Sequence, residues 1–324
     1  MAKTLRGSMG SILRALFIGT LILLLLLYTR KIFPVDASSQ PAREPQDVQQ
    51  GKPPSDLPPY SYRTQNIVAS DKVIVTPKQR TDSIDWMRGF CREFGCAIVP
   101  YSMDPEPEPG MWIPETTQGH EAGAYLSYMV EFYNDLPAYS IFIHSNEEQW
   151  HNDMFGPRTA DYLRNLRFEA VDAQGFVNLR CTTAPLCPDS WHLLSPQKQD
   201  LDYMYLLDYL PKIYAELFNT TEDAAPQRTG NLCCAQFVVS RDRIRRRPRS
   251  DYERMLRWVA TTDVSDNYGI GFFMEKMWHI VFGLEPVYCP RYEQCRCDVY
   301  GWCGPLPSGE VLTPVTVDRS RTGG

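Results

Sequence analysis

Long apolar runs are scarce in this 324-residue sequence: only Ala15 to Tyr28 is apolar for long enough to meet a bilayer, which excludes a polytopic membrane protein. Positive charge is in deficit too. Thirty-three Lys and Arg stand against 39 Asp and Glu, a net charge of −6, so whole-surface binding to nucleic acid is disfavoured. No Gly-x-Ser-x-Gly elbow, no phosphate-loop Gly-x4-Gly-Lys and no His-Glu-x-x-His occurs, and the enzyme classes that carry those signatures leave no trace. Gly269-Ile-Gly271 lacks a third glycine and follows no strand pattern, so it is no dinucleotide fingerprint. Neither a repeat nor a collagen period is present. What remains is ordinary globular material, 43% hydrophobic and 22% charged, with enough apolar content for a substantial core.

Ten cysteines are the unusual count, and the N-terminus suggests the compartment that explains them. Lys3, Arg6 and Arg14 precede the apolar run, and Arg30-Lys31 closes it. The run is shorter than the roughly 20 residues of a typical spanning helix, which suits a thin early-secretory membrane. Two readings fit: an uncleaved signal-anchor, favoured by the flanking charges, or a cleaved signal peptide read at Val35-Asp36-Ala37. Both place the rest of the chain in the lumen of the endoplasmic reticulum or Golgi. The sequon Asn219-Thr220-Thr221 is consistent with a glycoprotein on that side.

Composition divides the chain into a cytosolic stub and anchor (1–31), a Pro-rich stalk (32–65), a luminal domain (66–305) and a flexible tail (306–324). Within the domain, Lys72 to Thr76, Ala97 to Tyr101 and Tyr139 to His144 read as buried strands. Asp82 offers an N-cap to a helix carrying Ile84, Met87 and Phe94, and Glu121 to Asn134 has helical spacing. Strand, helix, strand, helix, strand predicts an α/β fold with a mostly parallel sheet flanked by helices. Further on, Phe176 to Leu179 and Gln236 to Ser240 read as strands; Asp202 to Phe218, Tyr252 to Thr261 and Phe272 to Phe282 read as helices.

Several motifs in fixed order carry a resemblance: His120-Glu121-Ala122-Gly-Ala-Tyr125-Leu126, Phe142-Ile143-His144, Trp150-His151-Asn152, Gly175-Phe176-Val177-Asn178-Leu179-Arg180-Cys181, Cys233-Cys234-Ala235-Gln236-Phe237 and Trp278-His279-Ile280-Val281-Phe282-Gly283. Together they resemble a mainly fungal family catalogued as a domain of unknown function. That family is similar in outline to glycosyltransferases of the Rossmann-like glycosyltransferase-A architecture. The resemblance implies a sugar transferase acting on a nucleotide-sugar donor and an unknown acceptor. Two departures are local: His120 stands where the family usually has arginine, and Gly271-Phe272 where it usually has Gly-Arg.

Cys91-x4-Cys96 and Cys181-x5-Cys187 are local pairs, and Cys289, Cys295, Cys297 and Cys303 form a disulfide-rich C-terminal cluster. In a luminal chain an even count argues for disulfides, with zinc the alternative for the last cluster. Cys233 and Cys234 are adjacent, so a bond between them closes a strained ring, and distant partners are expected for both.

His144 closes the most strand-like run, at the strand end where open α/β sheets bind ligands, with Trp150-His151 in the loop that follows. These three and Arg180 are the candidate substrate-binding residues. Glu275 and His279, four residues apart on one predicted helix, are candidate catalytic groups, as is Glu121 at a helix start. Each has a plainer structural alternative: a backbone-bonded imidazole, a core-packed Trp, a boundary ion pair or a dipole-stabilising acid. Sugar transfer also needs charge compensation for the leaving diphosphate. The only Asp-x-Asp, Asp200-Leu-Asp202, opens a predicted helix instead of ending a strand, so a divalent metal stays an open cofactor assignment. The arginines between Arg241 and Arg249 are the cationic alternative, or a solvated face. A non-catalytic binding or assembly protein on the same scaffold is the competing functional class.

Overall fold

The computed structural model describes residues 61–194, 206 and 209–317; the apolar run, most of the Pro-rich stretch and Asp200-Leu-Asp202 lie outside them. No helix of the described residues is long and apolar enough to cross a membrane.

Five strands form one sheet: β1 (Lys72–Lys78), β2 (Ala97–Ser102), β3 (Tyr139–Phe142), β4 (Phe176–Asn178) and β5 (Phe237–Ser240), in the order β2-β1-β3-β5-β4. The β-branched runs suit a pleated ribbon with side chains on alternating faces. Val73 and Val75 enter one core while Ile74 enters the other, and Phe237 and Val239 oppose Val238 in the same way. Both faces are therefore covered. One layer carries α1 (Asp85–Phe94), α3 (Thr159–Asn165), α4 (Phe168–Gln174) and α10 (Tyr292–Tyr300). The other carries α2 (Glu121–Glu131), α5 (Leu210–Phe218), α6 (Arg241–Arg245), α7 (Arg249–Thr261) and α8 (Asn267–Glu275). Burying each large aliphatic side chain contributes about 1.5–3 kcal/mol.

The first half of the sheet follows the expectation. β1 pairs in parallel with β2 on one side and β3 on the other. The first crossover carries α1 from β1 to β2 and the second carries α2 from β2 back past β1 to β3 on the opposite face, which opens a crevice beyond the carboxyl ends of β1 and β3. The second half corrects it. β5 is antiparallel to both β3 and β4, so the pairings divide evenly between the two kinds. After β4 the chain makes a long excursion that starts and finishes at the same end of the sheet, so it must re-enter in the reverse direction.

Several boundaries are corrected as well. Asp82 does not cap α1, whose N-cap is Ile84; its carboxylate accepts from Gln79 N–H at 3.0 Å and the Ser145 hydroxyl at 2.6 Å, tying β1 to the loop after β3. α1 stops at Gly95, where φ of 70° suits a residue without a side chain. The predicted Phe272 to Phe282 helix is two pieces, α8 and α9 (Trp278–Val281), broken at Lys276 and Met277. Folded structure also extends past the predicted limits: Tyr62 is buried, and Val315 N–H donates to Asp298 at 2.7 Å.

All ten cysteines are paired, as Cys91–Cys96, Cys181–Cys295, Cys187–Cys289, Cys233–Cys234 and Cys297–Cys303. Cys181 and Cys187 do not join each other; they stitch the excursion to the C-terminal cluster, whose thiols are all consumed and hold no zinc. Cys233 and Cys234 bond to each other, against the expectation of distant partners. The turn that permits it carries positive φ at Cys234 (92°) and Ala235 (46°), and it is pinned by Asn178 Nδ2 donating to the Leu232 and Cys233 carbonyls.

Candidate functional site

A cleft of about 380 Å³ opens beyond the carboxyl ends of β1 and β3. Its first wall comes from the sheet and α2. His120, at φ 49°, turns the chain into α2, and Glu121 is the first helical residue. His144 lies two residues past β3. Its Nδ1 meets Glu121 Oε1 at 3.1 Å and its Nε2 meets the Cys234 carbonyl at 3.1 Å. Both partners are acceptors, and a neutral imidazole has only one N–H to give, so the geometry calls for an imidazolium. Electrostatics agree in direction. Burial pulls the His144 pKa down, but the hydrogen bond and charge of Glu121 outweigh it and the net shift is upward. For Glu121 burial pushes upward, and the His144 contact reverses it, to about 2. The contact is an ion pair when the imidazole carries both protons, and each partner favours the charged form of the other.

The second wall comes from the turn before β5 and from α8. Glu275, the last residue of α8, accepts from Cys234 N–H at 2.8 Å. Burial raises its pKa, with the Cys234 hydrogen bond opposing. Tyr125 O–H donates to the Ala235 carbonyl at 3.2 Å and fixes the turn against α2. Gly271 lets α8 approach the start of α2 closely: a Cβ there would lie 3.0 Å from the Gly119 carbonyl oxygen.

At the mouth stands Trp150, 78% exposed. Its ring lies 4.1 Å from that of His151, which stacks on His144 at 4.8 Å and 29°. Burial first, and then the His144 charge, hold the His151 pKa down at about 4, so this ring is neutral. Tyr268 and Phe272 line the other side of the cleft as a stacked pair, 6.2 Å apart. A side compartment of about 120 Å³ reaches Lys78, Asp82, Thr117 and Asn267, and shares His120, Glu121 and His144 with the main cleft.

The structure thus gathers Glu121, His144, Trp150, His151 and Glu275. Arg180 stays behind the wall, donating to the His151 carbonyl at 3.0 Å. His279 lies outside the cleft. The break at Lys276 and Met277 cancels its four-residue relation to Glu275, and its Nε2 meets the Pro286 carbonyl at 2.8 Å; burial lowers its pKa to about 4. Two arginines of the run hold a helix end: Arg243 and Arg247 donate to the Phe282, Val281 and Ile280 carbonyls at the end of α9. Asn219 is exposed at the C-cap of α5. Sequence reasoning missed Tyr268 as a lining residue, although its four-residue spacing to Phe272 was there to read.

Among the described residues, one group of potential metal ligands clusters, Cys233, Cys234 and Glu275, with ligand atoms within 4.8 Å of one another. The two sulfurs are bonded to each other and offer no thiolate. Glu275 is left alone, so these residues do not fit a metal centre.

The family model described as "Protein of unknown function (DUF3431)" matches residues 74–298. No curated protein and no solved structure matches the chain.

Proposed function

We propose, for a chain that belongs to the DUF3431 family, that the cleft transfers a sugar from a nucleotide donor to an acceptor hydroxyl. One observation carries this reading: a single cleft holds two carboxylates whose environments push them apart, Glu121 downward and Glu275 upward. Such divergence assigns different roles to like groups. Glu275 is the general base for the acceptor hydroxyl, since a raised pKa improves proton acceptance near neutral pH. Glu121 stays ionised, and its role is to keep His144 charged and oriented. The His144 imidazolium is then the positive charge set against the departing diphosphate. A Rossmann-like, glycosyltransferase-A-like outline belongs to the same proposal, supported by the β2-β1-β3 order and its crevice. So does anchorage by the Ala15 to Tyr28 segment in the endoplasmic reticulum or Golgi, with the domain in the lumen. The full pairing of ten cysteines supports an oxidising compartment.

The test is a nucleotide-sugar hydrolysis and transfer screen on the full chain in detergent. Turnover of one donor, lowered at least 100-fold by Glu275→Gln with unchanged thermal stability, supports the assignment. A non-catalytic binding role is the second reading, favoured by the lack of Lys or Arg among the described residues lining the main cleft. Saturable ligand binding without turnover of any donor selects it.

A further inference from the structure

We propose that the part of the cleft between Trp150 and the Tyr268–Phe272 pair is the acceptor subsite and receives the ring of an uncharged sugar. This deepens, and rests on, the sugar-transfer reading of the same cleft.

The apolar faces come first. Trp150 is 78% exposed and Tyr268 56% exposed, and they reach the cleft from two unconnected elements, the loop after β3 and the first turn of α8. Large aromatic faces left in water are unfavourable, and two lining one concavity mark a place where a ligand covers them. The Trp150, His151 and His144 rings follow one another from the mouth to the Glu121 carboxylate, the first two tilted at 47° and the last two stacked. A ligand ring laid on Trp150 therefore sits at the entrance to the acid–base groups.

Charge selects among ligands with a flat face. Among the described residues lining this cleft there is no Lys and no Arg, and its ionisable groups are three histidines, two glutamates and Tyr268. Lys276 follows Glu275 but is buried, with its ammonium over the Phe272 ring at 3.9 Å. A phosphate or carboxylate between Trp150 and Tyr268 would face two carboxylates, with His144 already paired to one of them. An uncharged ring meets no such penalty.

Polar edges complete the match. His151 lines the cleft, and its Nδ1 is buried with no protein partner. Glu275 commits one carboxyl oxygen to Cys234 N–H. A pyranose offers an apolar C–H face for the rings and hydroxyls at its rim for these groups.

The experiment titrates the full chain in detergent with neutral hexose and N-acetylhexosamine disaccharides, with their phosphorylated and uronic-acid counterparts, and with nucleoside monophosphates. Calorimetry and tryptophan fluorescence report binding. At least one neutral saccharide should bind saturably, ten-fold or more tighter than its charged counterpart. Trp150→Ala and Tyr268→Ala should each weaken it ten-fold or more with the melting temperature unchanged. No response to any neutral saccharide, preference for the charged forms, or unaltered affinity in both variants overturns the proposal. So does a nucleoside monophosphate that displaces the sugar and depends on Trp150 to the same degree. The two readings fail separately: saccharide binding without donor turnover removes the transferase reading and leaves the subsite, whereas donor turnover with an acceptor KM indifferent to both variants removes the subsite alone.

Discussion

The two halves of the sheet are built by different means. β2, β1 and β3 join through local crossovers, and their one disulfide, Cys91–Cys96, spans only 5 residues. The β5-β4 half is held by a long excursion, whose bonds Cys181–Cys295 and Cys187–Cys289 span 114 and 102 residues. Each half contributes one wall of the cleft. The lesson is that periodic burial fixes the wall bearing Glu121 and His144, whereas covalent stitching fixes the wall bearing Glu275.

The sharpest way to break that contrast is to remove the stitching. Removing Cys181–Cys295 and Cys187–Cys289 together, by four Cys→Ala changes, should cost at least about 4–5 kcal/mol, since the two bonds are nested and only their joint loss reopens a loop of about 100 residues. Chemical denaturation measures the loss, and hydrogen exchange should speed up in 230–236 while β1 and β2 stay protected. Cys91→Ala with Cys96→Ala, closing a far shorter loop, should cost less. Equal losses would erase the distinction.

Next in size is the ion pair in the first wall. Glu121→Gln leaves His144 without its anion and should cost about 3 kcal/mol, in the range for stranding one member of a partly buried pair. The His144 titration, followed by NMR, should move downward.

pH separates the first wall from His279, which lies outside the cleft, by sign. Glu121, lowered from 4.5, stabilises fully above that value and loses its contribution as pH falls toward about 2. His144, raised from 6.5, stabilises below 6.5 and loses its contribution as pH rises through the folded value. The first wall is therefore firmest between those limits. His279, lowered from 6.5 to about 4, behaves oppositely: its contribution is present above 6.5 and is lost as pH falls through 4. The loss is on the order of 3 kcal/mol. Stability measured from pH 7 to 4 should fall less steeply in His279→Gln. The smallest effect belongs to the mouth, where Trp150→Ala should change stability by about 0.5 kcal/mol or less.

Legibility from sequence followed the same division. Lys72 to Thr76, Ala97 to Tyr101 and Tyr139 to His144 announce themselves because alternation and β-branching are local signals, and His144 is placed by strand end alone. The second wall depends on tertiary events. Nothing local shows that α8 stops at Glu275, turning His279 away, or that Cys233 pairs with its neighbour. The antiparallel entry of β5 is equally silent, because it follows from where the excursion ends. Glu121 was identifiable as an acid at a helix start and Glu275 as an acid within a predicted helix, but only the fold sets them on facing walls.

One residue joins those walls. Cys234 gives its N–H to Glu275 and its carbonyl oxygen to His144, so it acts as a strut of fixed length between base and cation. Its two bonds link the proton affinities of both groups: a change of charge at Glu275 that tightens or slackens its hold on the strut is transmitted to the imidazolium, and by reciprocity the reverse holds. The two groups also act on each other directly, Glu275 pushing the His144 pKa up and His144 pulling that of Glu275 down. Inserting a single residue between Asn231 and Gln236 would leave the sheet register intact and undo the strut's share of that coupling.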